Sequence, residues 1–292
     1  MIAGATTMPV AIRDVISLAK PRLSALVVIT CGGGMFMAPG RLDPVRAALT
    51  LAGTAAIVGA ANALNCYLER DLDRHMSRTR DRPLPSGRMQ PAVALWTALV
   101  LGAFALPTLV VFANALTAAL AAFATVSYVV FYTPMKQRSP AALWVGAVPG
   151  AIPPLMGWTA VRGRLELPGI VLFAILFFWQ IPHFIAIAMF RRDEYARAGH
   201  QVLTRFISDR AARVHIVFWS VLLFAITLAP VPLHLAGWLY GGVAVASGAA
   251  FLALAISGFV TRIAAEAWAR RVFKGSLLYL TVLFSALMLS AR

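Results

Sequence analysis

The sequence predicts an all-α polytopic membrane protein: a helical bundle of about nine transmembrane helices, N-terminus in the cytoplasm and C-terminus outside. Three observations predict it. Of 292 residues, 60% are hydrophobic and only 13% charged, about half the charged share of an average soluble chain. The charges cluster between apolar runs of about 20 residues, the length a helix needs to cross a hydrocarbon core roughly 30 Å thick. Lys and Arg, finally, alternate sharply between successive loops. This composition excludes a soluble enzyme, a disordered tail protein and a disulfide-stapled secreted domain.

The elements follow in order. A first run, about 22–38, comes after Arg13, Lys20 and Arg22; Asp14 and Lys20 interrupt the stretch before it, so no cleaved leader is expected. The second run, about 47–67, leads into a loop over 68–90 with six Lys or Arg. Runs at about 91–111 and 114–133 precede a short loop, 134–140, holding Lys136 and Arg138. Runs at about 141–161 and 167–190 flank Arg162 and Arg164 and lead to a loop, 191–213, with six more basic residues. Runs at about 214–232, 236–259 and 273–291 complete the set, with four basic residues over 260–274. One side of the membrane thus collects 21 Lys and Arg and the other five, namely Arg41, Arg46, Arg162, Arg164 and Arg292. The richer side is read as cytoplasmic, and an odd number of spans puts the C-terminus outside.

No compositional break divides the chain, so residues 1–292 are read as a single integral-membrane domain whose active-site loops are about 68–90, 134–140 and 191–213. The net charge of +15 follows from this asymmetry, so the partner it implies is the lipid membrane and no nucleic acid. Cys31 and Cys66 lack metal-ligand spacing and are read as small buried residues.

The long loops after the second and sixth spans hold seven of the eleven acids: Glu69, Asp71, Asp73, Asp81, Asp193, Glu194 and Asp209. Orientation does not require acids, so their concentration needs another cause. In the first cluster Asn65, Glu69 and Asp73 are spaced i, i+4, i+8 and drift only about 80° around a helix, while Asp71 points away. Stacked carboxylates repel unless a cation bridges them, and hard oxygens beside a membrane interface suit Mg²⁺ completed by substrate phosphates. A solvated helix end, with acids offsetting nearby arginines, is the alternative. In the second cluster His183 and Glu194 stand eleven residues apart, about 20° out of phase on a continuous helix. A histidine inside an apolar span marks a functional site, or else a hydrogen bond across the bundle near Pro182. Arg78, Arg82, Lys136 and Arg138 are on the same side and of the right chemistry for phosphate oxygens.

These residues carry a resemblance. The stretch NCYLERDLDRHMSRTRDRPLPSGRMQP from Asn65 to Pro91, YTPMKQRSP from Tyr132, the run from Pro149 to Trp158, and WQIPHFIAIAMFRRDEYARAG from Trp179 resemble, in order, the motifs of the membrane-embedded UbiA-type prenyltransferase superfamily. The likeness is greatest to its heme-farnesylating branch and spans nearly the whole chain, from Lys20-Pro21-Arg22 to Phe273–Leu280. Glu69 and Glu194 stand where the superfamily usually has Asp, the first being familiar in the heme branch, and Val202-Leu203-Thr204 lacks an expected proline.

The resemblance implies transfer of the farnesyl group of farnesyl diphosphate to a vinyl group of heme B, giving heme O and diphosphate, with Mg²⁺ as cofactor. Asn65, Glu69, Asp73 and Glu194 are then the catalytic set. The first three hold one Mg²⁺, with Glu194 and Asp193 near a second. Arg78, Arg82, Lys136, Arg138 and Arg191 bind diphosphate. His183 binds heme through iron or a propionate, or it meets diphosphate instead. Small residues such as Gly146 and Gly150 are expected to leave room for the tail. The positive-inside pattern and the lack of a transit segment lead to the expectation of a bacterial inner membrane with the site facing the cytoplasm, and the resemblance implies partnership with heme A synthase or oxidase-assembly proteins. The alternatives are a prenyltransferase for another aromatic acceptor, such as a quinone precursor, a transporter, and a passive heme-binding module.

Overall fold

The computed structural model describes residues 11–77, 79–260 and 263–290, so Arg78, Arg262 and Arg292 lie outside the described residues. All regular structure in the described residues is helical. A short helix, α1 (Ile12–Leu18), bends by 49° into α2 (Pro21–Met37). Lys20 makes the bend in the left-handed region, at φ 48°, where a side chain costs about 1–2 kcal/mol. α3 (Pro44–Asp73) is the longest helix, with 30 residues. It begins with Pro44 at its first turn and Asp43 as cap, accepting from the Val45 and Arg46 amides at 2.9 and 3.3 Å.

α4 (Pro91–Phe112) returns antiparallel to α3. α5 (Ala115–Val126), capped by Asn114, continues through a π-helical turn, Ser127–Tyr132, into the single turn α6 (Thr133–Met135). α7 (Ala142–Arg162) and α8 (Leu167–Phe190) follow, then the short α9 (Arg192–Arg197). The last three are α10 (Asp209–Leu228), α11 (Trp238–Val260) and α12 (Ala265–Ser290).

Among the described residues seven helices, counting α5 to α6 as one, are long and apolar enough to cross a membrane, and the bent α1–α2 pair makes an eighth. The remaining expected span, 141–161, corresponds to α7, which falls short in apolarity. Ten consecutive residues, Ala151 to Ala160, are all buried, and the helix carries Pro149, Pro153 and Pro154. A helix wrapped by neighbours needs no lipid-facing apolar surface, and packed partners accommodate the carbonyls its prolines free. α2 crosses it at very short range: a Cβ on Gly157 would stand 1.9 Å from the Cys31 carbonyl oxygen, and one on Gly34 2.0 Å from that of Pro154. Small residues permit this approach, as at membrane helix contacts generally. Cys31 and Cys66 are both buried free thiols, as expected.

The polar loops separate to two ends. At one, Arg46 donates from Nε to the Phe112 carbonyl (3.1 Å), Asn114 to the Thr159 carbonyl (2.7 Å) and Arg162 to the Pro39 carbonyl (3.2 Å). At the other, the ends of α3, α6 and α8 come together with the loops that follow them.

Candidate active site

The C-terminal turns of α3 present Asn65, Glu69 and Asp73 on one face, as the spacing predicts, and all three are buried. Each is met by a cation from a different segment. Lys20, at the α1–α2 bend, donates to Asn65 Oδ1 at 2.6 Å. Lys136, just past α6, pairs with Glu69 Oε1. Arg82, in the turn after α3, pairs with Asp73 Oδ2 at 2.8 Å. Asn65 ties the row together, donating from Nδ2 to Glu69 Oε2 (2.8 Å) and Thr133 Oγ1 (3.2 Å).

The π-helical turn explains how α6 reaches this row. It adds a residue to the helix, so that Thr133 Oγ1 donates to the Tyr128 carbonyl at 2.8 Å, five residues back. The wider turn stacks Tyr128 on Tyr132 at 5.5 Å and puts Lys136 Nζ 4.8 Å from the centre of the Tyr132 ring. Burial alone would lower the Lys136 ammonium, but Tyr132 and Glu69 outweigh it and hold the group above its ordinary value. Lys20, Lys136 and Arg82 exceed the two carboxylates by one positive charge, a balance that leaves the row ready for an anion.

The second motif is built differently. Glu194, on α9, accepts from Arg191 at 2.7 Å through Oε2, while its Oε1 is buried without a hydrogen-bond partner. It lines a cavity of about 510 Å³ between the end of α8, α9 and the starts of α10 and α12, with Arg191, Asp193, Asp209 and Arg270 among its walls. No residue of α3 is among those walls, so among the described residues the structure brings Asn65, Glu69, Asp73, Arg82 and Lys136 together and leaves Arg191, Asp193 and Glu194 as a neighbouring group. Asp193 and Arg138 are both exposed.

The link between the groups is the loop after α9. Gln201 donates its amide to the Lys136 carbonyl at 2.7 Å, and buried His200 stands edge-on to Tyr195 at 5.7 Å. Burial first, then Lys136, hold the His200 imidazole below its ordinary value, with Glu69 and Asp73 opposing, so the loop lies within electrostatic reach of the α3 row. His183, on α8, is buried against α12. Its Nδ1 is 2.7 Å from Ser276 Oγ, and its ring lies between Trp179 (4.6 Å) and Phe273 (4.8 Å).

A family model for UbiA prenyltransferases matches residues 26–281. The chain belongs to the UbiA prenyltransferase family. Curated relatives agree over their full length. A protoheme IX farnesyltransferase of Myxococcus xanthus (strain DK1622) is 53% identical over 289 residues, covering 99% of this chain and 98% of its own. Another, from Anaeromyxobacter sp. (strain Fw109-5), is 54% identical over 280 residues, covering 96% and 94%. Among solved structures, a digeranylgeranylglyceryl phosphate synthase superposes with a TM-score of 0.82 at 16% identity, covering 95% of this chain and 97% of its own. A UbiA homolog from Archaeoglobus fulgidus, solved with GPP and Mg²⁺, superposes at 0.67 with 17% identity, covering 94% and 99%. The protein is therefore an all-helical, multi-pass membrane prenyltransferase.

Within this family fold, the two glycines expected beside the tail also seat neighbouring side chains. A Cβ on Gly146 would meet the Tyr132 ring at 2.4 Å, and one on Gly150 the Gln180 Oε1 at 2.1 Å. These glycines therefore seat Tyr132 and Gln180, while Gly150 itself keeps exposed surface. Lys20 and His200 are the residues that reading by spacing missed. Lys20 precedes α2 by sequence and is 45 positions from Asn65, so only the bend brings them together.

Proposed function

We propose that the protein transfers the farnesyl group of farnesyl diphosphate to a vinyl group of heme B, giving heme O and diphosphate. One observation carries the reading: a buried row of two carboxylates and an amide, each held by a cation from a separate segment, at one end of an apolar bundle. The names of the full-length relatives support heme as the acceptor.

The donor set fits Mg²⁺. It consists of hard oxygens, and Mg²⁺ needs only one or two carboxylates because it keeps waters and takes substrate phosphate oxygens. Asn65, Glu69 and Asp73 would hold one ion; Glu194, with its unpartnered oxygen, and Asp193 would serve a second. Mg²⁺ bound there would stabilise the charge gathering on the departing diphosphate.

The chain's own residues do the rest. Lys136 and Arg82 take diphosphate oxygens, exchanging their carboxylate partners for phosphate ones, and Arg78, Arg138 and Arg191 are assigned to the same anion by chemistry. Donors already fixed in place need little reorganisation when the C–O bond breaks, which is where preorganised electrostatics gain most. Tyr128, Tyr132 and the buried α3 face keep water from the allylic cation until the vinyl carbon attacks it; a water then adds to the carbon this leaves cationic and loses a proton, giving the hydroxyl of the hydroxyethylfarnesyl group.

The same reading makes residues 1–292 one domain with nine spans, α7 included. It places the active-site loops on the cytoplasmic side of a bacterial inner membrane, following the distribution of Lys and Arg. Heme A synthase or oxidase-assembly proteins are the protein partners it implies. Product analysis by mass spectrometry, offering heme B and 4-hydroxybenzoate in parallel with farnesyl diphosphate, tests the acceptor. Heme O alone is the expected outcome; a prenylated 4-hydroxybenzoate with untouched heme overturns it.

A further inference from the structure

The atoms around His183 determine more than its location. Ser276 is wholly buried on α12. Its Oγ lies 2.7 Å from the Phe273 carbonyl oxygen and also 2.7 Å from His183 Nδ1. Two oxygens that close must share a proton. A carbonyl has none to give, so the single hydroxyl hydrogen of Ser276 points at Phe273. The remaining contact then requires Nδ1 to be the donor and Oγ the acceptor. In the neutral ring, this tautomer leaves Nε2 unprotonated, with its lone pair free.

The ring is also fixed in orientation. Trp179 stacks on it at 4.6 Å while donating its own Nε1–H to the Ser276 carbonyl at 2.8 Å. Phe273 covers another side at 4.8 Å and Phe184 meets it edge-on at 5.5 Å. Nε2 makes no hydrogen bond among the described residues, and it is not among the fully enclosed polar atoms without a partner, so it keeps accessible surface.

We infer that Ser276 is a positioning residue, whose hydrogen bond presents His183 Nε2 as an axial ligand to the iron of the heme acceptor. The inference rests on heme being the acceptor, and it decides among the roles His183 has been offered. A propionate or a diphosphate oxygen is an acceptor and needs an N–H, which Nε2 lacks in this tautomer. Iron is a Lewis acid and needs the lone pair. Histidines that bind metals commonly donate their other ring N–H to a fixed acceptor, which sets the tautomer and strengthens the ligand.

The test uses the full-length protein in detergent, titrated with iron protoporphyrin IX and with metal-free protoporphyrin IX, which has the same propionates. The inference expects an imidazole-ligated Soret band with iron. His183→Ala should lose this band and external imidazole restore it, while binding of the metal-free ring should be the same in both proteins. Ser276→Ala should weaken iron-porphyrin binding about 10- to 100-fold and lower the iron–histidine stretching frequency in resonance Raman spectra, and Ser276→Thr should restore both. Equal loss of both porphyrins in His183→Ala would point to a propionate contact and overturn the inference. An iron–histidine stretch indifferent to Ser276→Ala would overturn the role of Ser276. Product analysis on the same samples separates the two levels: ligation without farnesylation sinks the proposed activity, and heme O formation without ligation sinks this inference alone.

Discussion

Neutralising Glu69 tests both the stability and the chemistry of the α3 row. The Glu69 side chain is 9% exposed and its partner Lys136 20% exposed, so Glu69→Gln leaves an ammonium with little access to water. Removing one member of a buried pair costs about 3–5 kcal/mol, mostly as the penalty of the stranded charge. Lys20 adds to that penalty, because its hydrogen-bond partner Asn65 also donates to Glu69. Asp73→Asn should cost less, about 1–2 kcal/mol, because its partner Arg82 is 30% exposed and can turn toward solvent. Adding Lys136→Met to Glu69→Gln removes the stranded charge, so the double variant should regain most of the lost stability. It should not regain activity, since metal and diphosphate ligands are then both missing. Turnover should fall at least about 100-fold in Glu69→Gln and stay there in the double variant. Thermal midpoints in detergent, together with heme O production, measure the two effects. A double variant that recovers activity along with stability would refute the assignment and reduce the row to a structural ion pair.

Further outcomes follow from particular contacts. Gly157→Ala forces α2 and α7 apart and should cost about 1–3 kcal/mol in thermal stability. Gly102→Ala meets nothing within 4 Å and should be neutral or slightly stabilising, as differential unfolding scans would show. Glu166 gives an acid limb at the opposite end. Hydrogen bonds from Arg162, then Trp158 and Arg164, pull its carboxyl to about 2. Its folded value is depressed, so its contribution is full above the ordinary carboxylate range and is lost as pH falls toward about 2. The thermal gap between the protein and Glu166→Gln should be constant near neutral pH and close progressively below it; a gap that does not vary with pH would contradict this. Arg82→Ala should raise KM for farnesyl diphosphate about tenfold or more, whereas exposed Arg138→Ala should change it far less, as initial-rate kinetics would resolve.

Much of this was legible in the sequence because it depends on periodicity. Among the described residues eight of the nine apolar runs each correspond to a single helix of at least 17 residues, and the run 114–133 to α5, the π-helical turn and α6 in succession. The i, i+4, i+8 spacing of Asn65, Glu69 and Asp73 predicted a shared face, and one turn of helix suffices to make it so. What the sequence did not reveal was how that row is neutralised. Lys20 reaches Asn65 through a left-handed backbone angle, and Lys136 reaches Glu69 because a π-helical turn shifts the register of α6; neither has a clear sequence signature. The phase argument for His183 and Glu194 assumed one continuous helix. α8 ends at Phe190, with Arg191 between it and α9, so the two side chains part, one to α12 and the other to a separate cavity. The reading of α7 as an ordinary span underrated its prolines, two of which, Pro153 and Pro154, sit in the stretch the bundle buries completely.

The most direct test of the central claim is electron paramagnetic resonance of Mn²⁺, standing in for Mg²⁺, bound to the purified protein with and without a non-reactive farnesyl thiodiphosphate. The account predicts that the analogue tightens Mn²⁺ binding and that Glu69→Gln abolishes the effect while the variant remains folded. Mn²⁺ binding that is indifferent to the analogue, or unchanged in Glu69→Gln, would mean that the α3 row is not where metal and diphosphate meet.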